Sequence, residues 1–196
     1  MDIDKKTEIL QAAAECFSRY GYEKTTLDDI GRQVGLNKAS LYYYFKNKES
    51  IYTEVIYAEA KSFISGIIER VDQAKSCKDK ILAYFEERLT FIRYSLNLSQ
   101  LSQDSVQKIA PLFRNMYGKI FEIEVTHLSG ILECCIEKGE IRSCESRKVA
   151  QSMLMVDDAI RAKVDCQLST DEAFSGVLEE VRFTVSLILD GLAKQG

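Results

Sequence analysis

Apolar residues recur at three- and four-residue steps through most of the chain, the spacing that aligns side chains on one face of an α-helix. Ile9, Leu10, Ala13, Ala14 and Phe17 make the first stripe and predict a helix over residues 5–19, with Gly21 placed to end it. Leu27, Ile30 and Val34 line a short second helix, whose free amides the Thr25-Thr26 hydroxyls can cap and which Gly35 breaks. Asn37 can cap a third helix over 38–45, and Asn47 a fourth over 48–74. Five more helical segments are predicted at about 78–98, 105–110, 112–138, 146–165 and 170–193, the last opened by the capping-box spacing Ser169-Thr170-Asp171-Glu172. The pattern predicts an all-α protein of about nine helices, with residues 1–46 as a small amino-terminal domain joined by the long fourth helix to a helical domain over 47–196.

Composition agrees with that picture. The 196 residues are 46% apolar and 29% charged, as in ordinary globular chains, and the single proline, Pro111, leaves little to interrupt long helices. No charge-free run exceeds the ten residues 94–103, short of the roughly 18–20 that a membrane span needs. The start, Met1-Asp2-Ile3-Asp4-Lys5-Lys6, lacks the apolar core of a signal peptide, so a cytoplasmic protein with no membrane partner is expected. Six cysteines without a Cys-x-x-Cys pair suggest free thiols in a reducing compartment.

Charge is uneven along the chain. Residues 1–50 hold eight Lys/Arg and eight Asp/Glu, so the net charge of −4 belongs to the remainder. Between Gly31 and Lys48 lie Arg32, Lys38, Lys46 and Lys48 with no acid, interleaved with Tyr42, Tyr43, Tyr44 and Phe45. That stretch follows a helix-turn-helix spacing. Gly31 provides the small residue where two crossing helices touch, Gly35 the turn, and Ile30, Val34, Leu36 and Leu41 a small core. At 100° per residue, Lys38, Ala39, Tyr42 and Tyr43 share one face of the third helix, with Leu41 and Phe45 opposite and Ser40 and Tyr44 at the edge. An acid-free face of one lysine and two tyrosines suits the major groove of DNA, and the capped helix starts at Thr25-Thr26 and Asn47-Lys48 suit phosphates.

The run from Gly21 to Gly31, followed by Val34-Gly35-Leu36-Asn37-Lys38-Ala39-Ser40-Leu41-Tyr42-Tyr43-Tyr44-Phe45-Lys46-Asn47-Lys48-Glu49, resembles the DNA-binding domain of the TetR/AcrR family of bacterial transcriptional regulators over about residues 7–55. The resemblance implies a homodimer reading a palindromic operator and a carboxy-terminal domain whose small-molecule effector lowers DNA affinity. Carried over by position, Lys38, Ala39 and Tyr43 would face bases, with Tyr42 between base and backbone. Thr25, Thr26, Ser40, Tyr44 and Lys48 would meet phosphate. Gly31 departs from the commoner alanine, and Asp28-Asp29 put acid at a helix start.

The final two segments are wide in apolar surface. Val149, Met153, Val156 and Ile160, and then Phe174, Val181, Val185 and Ile188, are the expected dimer interface. Tyr84, Arg88, Phe91, Arg93, Phe113, Met116, Tyr117, Ile120 and His127 are candidate effector contacts on the middle helices. Glu124-x-x-His127 has a di-iron spacing, but one histidine in the chain cannot supply the second motif such a site needs. With no phosphate-binding glycine loop or nucleophile elbow, neither an enzyme nor a metal or other cofactor is expected. A thiol-responsive regulator using Cys134, Cys135 or Cys144, and a helical binding module without DNA activity, remain as alternatives.

Overall fold

The computed structural model describes residues 2–71, 74, 76–95, 102–162 and 171–194. It has eight helices: α1 (Asp2–Lys24), α2 (Leu27–Val34), α3 (Lys38–Tyr44), α4 (Lys48–Val71), α5 (Cys77–Ser95), α6 (Gln103–Glu137), α7 (Ser146–Ala162) and α8 (Asp171–Leu192). Among the described residues the one extended pairing is an isolated antiparallel bridge between Ile141 and Ala193. No described helix is long and apolar enough to cross a membrane.

The fold is all-α as the periodicity predicts, with eight helices where about nine were expected. The difference is Pro111, which lies inside α6 instead of dividing it. A proline removes one helical hydrogen bond and crowds the carbonyl four residues back. Pro111 and Gln107 are both exposed, so water can serve that carbonyl and the helix continues. The expected ends at 98 and 165, and the first two residues of the Ser169–Glu172 capping box, lie outside the described residues.

By packing, the chain divides into two units: Met1–Lys61 with Asn97–Ile120, and Ser62–Leu96 with Phe121–Gly196. In the first, α1 buries Ile9, Ala13, Cys16 and Phe17. Gly21 (φ 77°, ψ 161°) breaks the helical path of α1 before its last turn, as its position suggested. Tyr52 on α4 closes an aromatic cluster, its ring centroid 5.1 Å from Phe17 and 4.7 Å from Tyr22.

In the second unit α5, α6, α7 and α8 enclose a core that includes Tyr84, Phe85, Leu89, Leu128, Leu132, Met153, Leu154, Val181 and Val185. A charged group is sunk in this core. Arg88 donates from Nε to Glu124 Oε1 at 2.6 Å and from Nη2 to Glu124 Oε2 at 3.0 Å, and it also pairs with Asp157 and Asp158. The Tyr84 hydroxyl donates to Glu124 Oε1 at 3.2 Å.

Cys77 and Cys135 are joined by a disulfide, which corrects the expectation of free thiols throughout. They stand 58 residues apart in the chain, and only the meeting of the start of α5 with the end of α6 brings their Cα atoms to 5.7 Å. Cys16, Cys134 and Cys144 are thiols, and Cys166 lies outside the described residues.

Candidate nucleic-acid interface and ligand groove

The helix-turn-helix is held mainly at its ends. Thr26 caps α2 in a reciprocal box: the Asp29 amide donates to Thr26 Oγ1 at 3.2 Å, and the Thr26 amide and hydroxyl donate to Asp29 Oδ2 at 3.0 and 2.6 Å. Those bonds from Thr26 hold the Asp29 carboxyl below its ordinary range. Gly35, in the left-handed conformation (φ 67°), closes α2, and the Leu36 amide donates to Gly31 O at 2.8 Å. A Cβ at Gly31 would lie 2.4 Å from Leu36 O, so glycine here is a requirement of the tight turn. Asn37 caps α3 by accepting the Ser40 amide at 2.8 Å.

With its ends fastened, α3 turns Leu41 and Phe45 inward and leaves Lys38, Ala39, Tyr42 and Tyr43 exposed, Tyr43 by 77%. Ser40 and Tyr44 are half-buried at the edge, and the Tyr44 ring meets Tyr43 edge-on at 5.1 Å. Exposed Lys46 and Arg32 extend the positive surface. Lys46 carried the same basic signal as its neighbours but was not assigned a role from the sequence, because it lies just past the helical face.

Two expected phosphate contacts have other work. Thr25 is buried, and its hydroxyl donates to Cys16 O at 3.1 Å and Gly21 O at 2.8 Å, so it fastens the end of α1. Lys48 Nζ donates to Tyr22 O at 2.8 Å and Thr25 O at 3.1 Å and sits 4.1 Å from the Tyr22 ring centroid. Burial pushes its ammonium below the usual lysine range. Thr26 is exposed, with its hydroxyl used in the cap.

The expected effector contacts are scattered. Tyr84 and Arg88 belong to the packed core, the guanidinium consumed by its carboxylates. Phe91 stacks on Phe63 at 4.1 Å. Phe113, Met116, Tyr117 and Ile120 belong to the first unit, where Phe113 faces Tyr52 at 6.5 Å. The Arg93 side chain is outside the described residues. The second unit instead presents a groove of about 670 Å³ between α4, α5 and α6, and of the expected contacts His127 alone lines it. Ile64, Ile123 and Ile131 form apolar walls, with Lys80, Glu122 and Lys138 also in the lining. Glu122 is paired with Arg147. The stripe Ile123, His127, Ile131, Cys134 is visible in the sequence, but spacing alone cannot tell a groove-facing stripe from a core-facing one.

The expected dimer residues differ in their exposure. Met153, Val181 and Val185 are buried in the unit's own core, and Val149, Ile160, Phe174 and Ile188 are half-buried. The large apolar side chains exposed on α7 and α8 are Met155, Val156, Phe183 and Leu187. Of these four only Val156 is among the expected dimer contacts, because helices that are apolar on two sides offer two candidate stripes.

A short capped helix pair presenting an acid-free basic and tyrosine face defines a helix-turn-helix DNA-binding regulator. Residues 9–55 match the family described as bacterial regulatory proteins, tetR family. The fatty acid metabolism regulator protein of Bacillus subtilis (strain 168) is 25% identical over 158 residues, 80% of this chain and 81% of that one. The biofilm operon icaADBC HTH-type negative transcriptional regulator IcaR of Staphylococcus aureus (strain Newman) is 49% identical over 123 residues, 60% of this chain and 62% of that one. Among solved structures, a transcriptional regulator from Cytophaga hutchinsonii ATCC 33406 shares the fold, with a TM-score of 0.75 and 23% identity over 95% of this chain and 97% of that one.

Proposed function

We propose that the chain is a homodimeric repressor that reads a palindromic operator with α3 and releases it when a small molecule occupies the groove of the second unit. The observation that carries this is the outward face of α3, where Lys38, Ala39, Tyr42 and Tyr43 stand exposed while Leu41 and Phe45 hold the helix from behind. In a major groove the ammonium and phenol groups can donate to base-edge acceptors, and the small Ala39 admits close approach to a thymine methyl. Lys46 and Arg32 supply charge toward phosphates, and the exposed Thr26 and half-buried Ser40 and Tyr44 lie at the margin of the same surface. Repression is supported by the negative regulation named for the staphylococcal relative.

A second copy covering Met155, Val156, Phe183 and Leu187 would take that apolar surface out of water, and pairing two reading helices raises effective affinity. The groove suits a mostly apolar molecule, since Ile64, Ile123 and Ile131 form its walls. The B. subtilis relative's name, a regulator of fatty acid metabolism, is in keeping with such an effector.

Selection of duplexes from a random-sequence pool tests the reading. The parent should recover a palindrome whose half-sites lie about one helical turn, roughly 34–36 Å, apart. Lys38→Ala should relax preference at one base position by about tenfold, and Phe183→Glu should give a monomer that retains little operator affinity. Parent-like selection by Lys38→Ala and Tyr43→Ala together would overturn the assignment of α3 to the groove.

A further inference from the structure

Four helices meet at the five residues 22–26. The end of α1 enters this turn, and its Tyr22 and Thr25 carbonyls are held by Lys48, in the first turn of α4, at 2.8 and 3.1 Å. Both carbonyls lie beyond the break in α1 at Gly21, and an ammonium is a strong donor to them. Glu23 reaches the start of α6: the Ser102 amide donates to Glu23 Oε1 at 2.7 Å, while Ser102 Oγ accepts the Ser105 amide at 3.2 Å. A carboxylate and a serine thus share the free amides at the start of that helix. The next residue in the turn, Thr26, is the cap that starts α2, and α2 is bonded to the following turn through Leu36 N and Gly31 O.

α4 and α6 are also the two helices that continue from the first unit into the second, with α4 crossing the division after Lys61 and α6 after Ile120. Each is fastened, at its first-unit end, to one side of the same short turn. The fastenings are charge-assisted, about twice as strong as neutral hydrogen bonds, and so are stiff enough to pass on a displacement. Two of the three donors of the Lys48 ammonium are spent on them.

We infer that the turn at residues 22–26 is the joint through which α4 and α6 set the pose of α2 and α3, with Lys48 and Glu23 as positioning residues and neither as a contact to DNA. The joint rests on the assignment of operator reading to α3. It adds the route by which an event on either long helix reaches the reading surface, and it gives Lys48 a role distinct from the phosphate contact that its position in the sequence suggests.

The test compares the parent with Lys48→Met, Lys48→Arg and Glu23→Ala on two duplexes over a range of salt concentrations. One duplex is the sequence that the parent selects from a random pool, and the other is the same duplex with scrambled half-sites. Lys48→Met, losing two charge-assisted hydrogen bonds, and Glu23→Ala, losing one, should each weaken the selected duplex by about tenfold or more, with unchanged affinity for the scrambled duplex and an unchanged salt slope. Lys48→Arg should keep most of the selected-duplex affinity, because a guanidinium can donate to the same carbonyls.

Parallel weakening on both duplexes, with a salt slope reduced by about one for Lys48→Met, would make Lys48 a phosphate contact and overturn the inference. A lowered melting temperature with parent-like binding well below it would reduce both residues to structural ones, with the same consequence. If Lys48→Met does not fold, Glu23→Ala decides alone, since Glu23 is exposed. Should the parent select no duplex, it is the reading by α3 that fails, an outcome distinct from failure of the joint.

Discussion

The two units hold their helices in different ways. In the first, α2 and α3 have eight and seven residues, too short to be stable alone, and they are fixed by caps at Thr26 and Asn37, by a glycine contact at Gly31 and by the turn around Thr25. In the second, α7 and α8 have 17 and 22 residues and are fixed along their lengths by apolar packing, with the Arg88 cluster tying α5, α6 and α7 together. End fastening sets direction, because hydrogen bonds and close backbone contacts tolerate little misplacement, and direction is what a groove-reading helix needs. Side packing sets volume, and here it leaves a groove between α4, α5 and α6 unfilled.

The contrast can be broken first at Arg88. Arg88→Met leaves Glu124 buried without its cation and Asp157 with Arg161 alone, and should cost about 3–5 kcal/mol in urea unfolding of the second unit. Exchanging all three for apolar residues of similar volume should restore most of that loss; if the single change is mild, apolar packing alone holds these helices. Gly31→Ala is next, because its Cβ would press on a backbone oxygen at 2.4 Å. A cost of about 1–3 kcal/mol in the first unit is expected, together with loss of operator binding, and calorimetry with a binding titration would measure both. A neutral result would show that the turn has slack.

Thr26→Ala removes a cap and should cost about 1 kcal/mol with little change in the second unit. Hydrogen exchange confined to α2 would sharpen the distinction between the units, and a change spread over both would blur it. The smallest effect is that of acid. The Thr26 bonds to Asp29 and the Ser102 amide bond to Glu23 hold both carboxyls below their usual range. Groups depressed in the folded state stabilise it above their unfolded values, near pH 4, and lose that contribution as pH falls through their folded values. Amide protection at Thr26 and Ser102 should therefore weaken on acidification below about pH 4 and stay flat above pH 6, as NMR would record.

These differences also mark where side-chain patterning could be read. In α3 one side is apolar and the other is not, so placing Leu41 and Phe45 inward placed Tyr42 and Tyr43 outward. Thr25 and Lys48 are harder to read for a local reason: a hydroxyl beside a helix start and a lysine at another look like phosphate ligands, and spacing does not show the carbonyls they meet. In α7 and α8 both sides are apolar, and Met153 and Met155 cannot be told apart by spacing. Phe113 and His127 look like neighbours on one pocket wall until the first part of α6 is found in one unit and the rest in the other.

What the amino acids alone determined is the helical fold, the glycine-punctuated turn, the face that α3 shows to solvent and the family those residues mark. Each depends on interactions within a few residues, where backbone geometry dictates which side chains meet. Tertiary structure decided the rest: the Cys77–Cys135 link, the buried cation at Arg88, the groove along α6, the exposed stripe of Phe183 and Leu187, and the grip of Lys48 and Glu23 on a single turn. These join residues distant in the chain, and such contacts depend on how whole helices pack, which local spacing does not encode.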